Sequence, residues 1–406
     1  MSDRYRWVVL AAGTLAQASF SALSVGLPAL APALRSHYGL SLGETGIVLG
    51  AVGIGMLPTL LPWGLLADRT GERVVIAVGL AGAAAALAAT AATHRMWSLV
   101  ALLALAGALG ASVNAASGRA VMGWFGEDER GLALGIRQTA IPIGGAAAAA
   151  SLPWLATSGG TRLAFLALAG GCLAGAALAL AFMRDAPRRE LAHAAPERAR
   201  PPLRDATMWL LGGGSALFLT AQIAITGFAV LFLHEHRGLS THSAAAVLAG
   251  INVLGIGARI GSGRWSDRIH ARMRPIREIG IALAIGTALT AAFVDAPLAL
   301  LIPVLVVSGV LGLSWNGLSF TAAAETAGTA RSGAALGLQQ TLLGVLVAGV
   351  PPAFAAVAAS SWRVAFALAA VGPLLGVVAL LRVPEPATSR RSARTPGTSA
   401  TPPAAR

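Results

Sequence analysis

Two arginines stand where arginine is costly. Arg137 and Arg259 each lie about two turns inside a run apolar enough to cross a bilayer. A guanidinium in hydrocarbon needs a reason to be there. It is planar, stays protonated and presents paired donors that match a carboxylate or nitrate, so recognition of an anion is the chemistry on offer. The competing reading, open for both, is a charge that snorkels to the interface or pairs with another helix. Amide side chains accompany them: Asn114 and Asn316, Gln138 and Gln340. Amides inside spans either line a cavity or tie helices together. Gln17 and Gln222 are weaker candidates of the same kind. Trp315, beside Asn316, is placed to wall a site or to pack in an apolar core. Arg137 and Gln138 are adjacent and point about 100° apart on a helix, so both cannot face one cavity squarely.

Other chemistry finds no support. No Asp or Glu falls at mid-depth in any apolar run, which argues against proton coupling through a membrane carboxylate. Exchange, uniport or a proton carried with the substrate remain. The lone Cys172 excludes a disulfide framework. His234-Glu235-His236 lacks convincing partner ligands, so no metal and no cofactor is expected. Without a phosphate-binding loop, dinucleotide fingerprint or nucleophile elbow, the chain does not read as an enzyme.

The elements that must position these residues are membrane helices. Of 406 residues, 56% are hydrophobic and 12% charged, with mean hydropathy +0.71, a polytopic membrane composition. The net charge of +13 does not mark a nucleic-acid binder, because the basic residues, all arginine, sit at the ends of apolar runs. At about 20 residues per crossing, twelve spans are expected: 7–34, 43–66, 74–93, 97–120, 130–157 and 162–183, then 208–233, 241–265, 277–295, 297–322, 332–358 and 362–382. They divide the chain into a six-helix bundle at 1–183, a polar cytoplasmic linker at 184–207, a second bundle at 208–383 and a disordered tail at 384–406. Five arginines (Arg35, Arg95, Arg162, Arg237, Arg363) fall in turns on one side and about 23 on the other. This bias places both termini in the cytoplasm. No cleavable signal is evident.

A repeat links the halves. Gly110, Asn114, Gly135, Gln138 and Thr139 recur 202 positions later as Gly312, Asn316, Gly337, Gln340 and Thr341. Between the second and third spans stands Gly64-x-x-x-Asp68-Arg69-x-Gly71-x-Arg73, with a partial copy at Gly263-x-x-x-Asp267-Arg268. This pattern resembles the signature of the major facilitator superfamily, with Glu72 where a basic residue is usual. The resemblance covers roughly Arg6 to Val383 and implies an all-α membrane fold of twelve transmembrane helices in two pseudo-symmetric bundles, with substrate held between them. It further implies a gate built on Asp68, Arg69, Arg73, Gly64 and Asp267, with Arg119 as a partner; the competing reading is topology signalling by surface arginines. Gly64, four residues before Asp68, is expected to let another helix approach closely.

Arg259-x-x-x-Gly263-x-x-x-Asp267 resembles the arginine-bearing eighth helix of monocarboxylate, oxalate–formate and nitrate carriers, with Gly255 where proton-coupled members have an acid. By that resemblance Arg259 binds the anion. Pro142-Ile-Gly144-Gly145 weakly resembles a motif of drug–proton antiporters, but Ile141 replaces its glycine. The expectation is a monomeric inner-membrane transporter of a small anion, with drug efflux by proton antiport and a non-transporting receptor or scaffold as rivals.

Overall fold

In the computed structural model, helices account for the regular elements among the described residues, which are 4–125, 127–184, 204–328 and 332–386. The expected linker and tail lie largely outside these residues, as do the side chains of Asp68 and Arg119. The first half comprises α1 (Tyr5–Ser24), a 3-10 turn (Leu27–Leu30), α2 (Ala31–Tyr38), α3 (Leu42–Thr70), α4 (Glu72–Thr90), α5 (Met96–Trp124), α6 (Glu127–Gln138) and α7 (Ala140–Phe182). The second comprises α8 (Ala206–Ala216), α9 (Phe218–Leu231), a π turn (Phe232–His236), α10 (Thr241–Ile269), α11 (Met273–Ala292), α12 (Leu298–Ser314), α13 (Asn316–Ala327), α14 (Ser332–Ala358) and α15 (Trp362–Leu380).

Eleven stretches are long and apolar enough to cross a membrane, the longest being the 48 residues Gly135–Phe182. As one helix that stretch would reach about 72 Å, more than twice a hydrocarbon core of about 30 Å. Its backbone leaves helical geometry at Gly159 and Gly160, and Gly160 has φ +70° and ψ −178°, a conformation open essentially to glycine. The stretch therefore folds into two crossings, which makes twelve. With an even number of crossings, the described residues begin (Arg4) and end (Pro386) on one side of the bundle, called here the terminal face; the opposite side is the distal face.

Local chemistry sets the boundaries. Ser41 and Glu44 form a reciprocal capping box at the start of α3. Gly71 turns the chain between α3 and α4 at φ +89°. The corresponding turn of the partial copy is made by His270 at φ +52°, the one left-handed non-glycine among the described residues.

Four crossings are interrupted: by the 3-10 turn in the first, Thr139 in the fifth, Leu217 in the seventh and Trp315 in the tenth. Carbonyls freed by such breaks must find donors within the protein, because lipid offers none.

Each half packs through small residues. Gly55 of α3 meets the backbone of Ala104 on α5, and Gly107 of α5 meets that of Val52 on α3. This mutual approach leaves no room for a side chain. The halves meet at the distal face: Gly46, Gly50 and Gly53 of α3 lie against Ala348, Pro351, Pro352 and Ala355 of α14. One apolar cluster there joins Ala29, Leu42 and Ala149 to Phe228, Phe232, Phe354 and Phe366. Toward the terminal face the two cores are separate clusters. Gly64, Gly263 and Gly337 meet nothing within 4 Å among the described residues.

Candidate functional site

The break at Thr139 creates the centre of the site. Residue 142 is proline, which has no N–H to donate to the carbonyl four residues earlier. The Gln138 carbonyl is therefore free, and Arg259 Nη1 of α10 donates to it at 3.0 Å, across the boundary between the halves. Arg259 Nε donates at 2.8 Å to the carbonyl of Leu313, just before the break at Trp315. Ser262, one turn further along α10, donates its hydroxyl to the next carbonyl, Ser314, at 2.8 Å. Two broken helices are thus capped from one face of α10.

Arg137 approaches the same residue from the other side. It is 6% exposed and donates Nη1 to Gln138 Oε1 at 3.3 Å. Its other donors meet Ser117 Oγ (2.9 Å), the Asn114 carbonyl (3.1 Å) and Gln17 Oε1 (3.4 Å). Gln17 in turn donates to Asn114 Oδ1 at 2.7 Å. A void of about 10 Å³ lies beside this guanidinium, between Gly13, Thr14, Ser117 and Met183. It has room for about one water. Among the described residues, no carboxylate pairs with Arg137 or Arg259. Two guanidinium groups thus converge on Gln138, held only by neutral oxygens. The adjacency of Arg137 and Gln138 is no obstacle, because the long arginine folds back onto its neighbour.

The second half mirrors this arrangement without the charge. Gln222 Oε1 accepts from Asn316 Nδ2 at 3.3 Å and from Trp315 Nε1 at 3.2 Å. Gln339 donates to Ser319 Oγ, as Arg137 does to Ser117 Oγ. At the repeat offset of 202, Ser117 maps to Ser319 and Arg137 to Gln339, so Gln339 occupies the position that carries the cation in the first half. Ser117, Ser319 and Gln339 had a sequence signal in that offset, but serine is too common inside membrane helices to stand out alone.

Trp315 does not wall a cavity. It is fully buried, its ring centroid 5.5 Å from that of Phe218 in an edge-on contact, and it serves to hold Gln222. Gln340 is half-buried on α14. Arg69 and Arg73 are exposed at the terminal face. Asp267 accepts from Arg272 Nη1 at 2.5 Å, and Arg272 Nη2 reaches Glu325 at 2.9 Å. Glu385 accepts from the backbone N–H groups of Arg272, Met273 and Arg274 at the start of α11. Burial opposes the charge of Arg272, yet the hydrogen bonds it donates to Glu325 and Asp267 raise its pKa above the ordinary value. At the distal face Glu235 pairs with Arg35 across the halves, and Asp295 accepts from His236 (3.1 Å) and Arg363 (3.0 Å).

Comparison with known proteins agrees with this architecture. The family model described as Major Facilitator Superfamily matches residues 9–352. An uncharacterized MFS-type transporter of Mycobacterium tuberculosis strain H37Rv is 34% identical over 375 residues, which is 92% of this chain and 84% of that one. A counterpart from strain CDC 1551 is 33% identical over the same shares. Among solved structures, an inward-facing, occupied bacterial homolog of the human lysosomal transporter Spinster matches at TM-score 0.74 and 17% identity, over 94% of this chain and 97% of that one. The proton:xylose symporter XylE matches at TM-score 0.74 and 16% identity, over 95% and 97%. The nucleoside transporter NupG matches at 0.70 and 14%, over 93% and 99%. With twelve crossings in two mirrored halves, a polar centre between them and this family match over most of its length, the chain belongs to the major facilitator superfamily of transporters.

Proposed function

We propose that this transporter moves a small organic or inorganic anion, monocarboxylate-like in size, by alternating access. The observation that supports this reading best is the convergence of Arg137 and Arg259 on Gln138 with neutral acceptors alone. Buried charge without a counter-charge is costly, and an anion entering between the two groups offsets that cost. Its oxygens replace the Gln138 carbonyl and side chain as acceptors, in the paired geometry that guanidinium favours. Asn114, Asn316 and Gln340 line the path around it. The halves then rock about this centre, with Gly64, Asp68, Arg69, Arg73, Arg119 and Asp267 forming a gate at the terminal face. The arginine bias supports cytoplasmic termini in an inner membrane. The carrier works as a monomer.

Counterflow in proteoliposomes tests the reading. Vesicles preloaded with small carboxylates, nitrate or cyanate are offered labelled anion. Saturable exchange is expected, weakened about 10- to 100-fold in affinity by Arg259→Gln, the scale of a charge-assisted hydrogen bond. No exchange by well-inserted wild type sinks the proposal. A second reading, a neutral polar solute, draws on the uncharged Gln222–Trp315–Asn316 cluster and on structural neighbours that carry a nucleoside or xylose. It predicts solute exchange that tolerates Arg259→Gln.

A further inference from the structure

We infer that Pro142 is a positioning residue: by withholding an N–H, it leaves the Gln138 carbonyl as an internal acceptor that competes with the substrate anion for Arg259. The inference rests on the anion reading for what is displaced, while the link from Pro142 to Arg259 stands on geometry alone. In an uninterrupted α-helix the carbonyl of residue 138 accepts from the N–H of residue 142. Here the neighbouring ladder is shifted as well. Thr139 N–H turns back to the Ile136 carbonyl at 3.0 Å, and regular bonding resumes only with Ile143 N–H to Thr139 at 3.1 Å. The freed carbonyl meets no donor from its own helix and takes Arg259 Nη1 from the other half at 3.0 Å.

The contact ties the two halves together at the level of the site. It sits at the end of α6, beside the α7–α10 seam where Gly145 lies against Asn252 toward the distal face. Asn252 is fully buried, and its Oδ1 has no hydrogen-bond partner. Among the described residues, the side-chain hydrogen bond across this boundary is Arg259 to the Gln138 carbonyl, and it lies beside one unsatisfied acceptor. An anion that takes Arg259 removes that contact and lets the seam part. The cost of displacing the carbonyl lowers apparent affinity, as any occupied competing state does, and in return couples occupancy to movement. Replacing Pro142 with a residue that has an N–H draws the carbonyl back along the helix axis, away from α10.

A double-mutant cycle tests this. Spin labels at Thr70→Cys and Arg268→Cys, in a Cys172→Ser background, report the separation of the halves at the terminal face by pulsed electron resonance without any anion. Pro142→Ala and Arg259→Gln are each expected to shift the distance distribution, and the double variant to match Arg259→Gln alone. Pro142→Gly, which also restores the N–H, behaves as Pro142→Ala and serves if alanine inserts poorly. No shift in Pro142→Ala, or an equal shift whether or not Arg259 is present, overturns the inference. Nitrate and formate binding to the unlabelled protein then adds the affinity readout. Pro142→Ala is expected to tighten it by roughly three- to tenfold, where a merely structural proline loosens it. Weaker binding in Pro142→Ala overturns the competition. Wild type that binds neither these nor any other small anion sinks the anion reading, and the distance cycle still decides the role of Pro142.

Discussion

Four neutral oxygens hold Arg137: Ser117 Oγ, Gln138 Oε1, Gln17 Oε1 and the Asn114 carbonyl. Each comes from a different backbone position, so the guanidinium is oriented before any ligand arrives. Ser117 is the clearest place to test that claim. In Ser117→Ala the Nε–H of a buried cation loses its acceptor, at a cost of about 1–3 kcal/mol. A lower melting temperature in detergent and weaker anion exchange are expected together. Unchanged values for both count against an oriented Arg137. The distal face offers a pH test at the same scale. Arg363 first, and then His236, hold the pKa of Asp295 below its ordinary value. A carboxylate lowered on folding contributes stability above its unfolded pKa, and loses that contribution as pH falls through the folded one. Asp295→Asn should therefore flatten the acid limb of the stability profile below the usual carboxylate range and leave its neutral part close to wild type.

Among the elements, glycine placement separates tight seams from open ones. Gly55 and Gly107 bring α3 and α5 into backbone contact, and a Cβ at either position collides with main chain. Gly107→Val should destabilise by about 1–3 kcal/mol, the usual scale for overpacking. Gly170 on α7 meets nothing within 4 Å among the described residues. Gly170→Ala should gain up to about 1 kcal/mol through helix propensity alone. Thermal unfolding of the two variants in detergent decides the contrast; equal effects would mean that the α3–α5 seam is not tight. The interrupted helices follow a related logic. Breaks at Thr139 and Trp315 expose carbonyls in the membrane, and α10 supplies Arg259 and Ser262 to cap them. Both arms of the site are therefore built from helix defects, and α10 is the element that spans them.

At the scale of the whole molecule, the halves touch along the distal face and hold separate cores toward the terminal face. Among the described residues, the distal closure combines an apolar seam with an ion pair, Arg35 to Glu235, which joins the halves. Both partners are part-exposed, at 31% and 27%, so salt screens the pair and its worth is about 1 kcal/mol or less. That is the right size for a contact that must break in every cycle. Glu235→Gln should increase labelling of Ala29→Cys, buried in the cluster that joins the halves, by a thiol reagent applied from the distal side, less so at high salt. Labelling equal to that of the intact pair would remove it from the closing mechanism. At the terminal face, Asp68→Asn should impair transport and leave insertion intact; unchanged transport counts against the gate.

Much of this was readable along the chain because its causes are local. A crossing is a matter of about twenty apolar residues, and the arginine bias is read from the turns between them. The 202-residue offset that pairs Asn114 with Asn316 is visible without coordinates, and it also pairs Ser117 with Ser319 and Arg137 with Gln339. Arg137 and Arg259 stood out because charge in an apolar run is rare. What they touch was not legible. Whether two guanidinium groups meet depends on how two bundles dock, and that is settled by packing between residues more than a hundred positions apart. Trp315 looked equally suited to a cavity wall or a core, and only the position of Phe218 made it core. Pro142 read as part of a weak antiporter-like motif, yet its effect falls on a carbonyl that a helix from the other half reaches. Local physics determined which residues are costly and where the chain must cross; tertiary packing decided which neighbours meet those costs, as the Gln138 carbonyl does for Arg259.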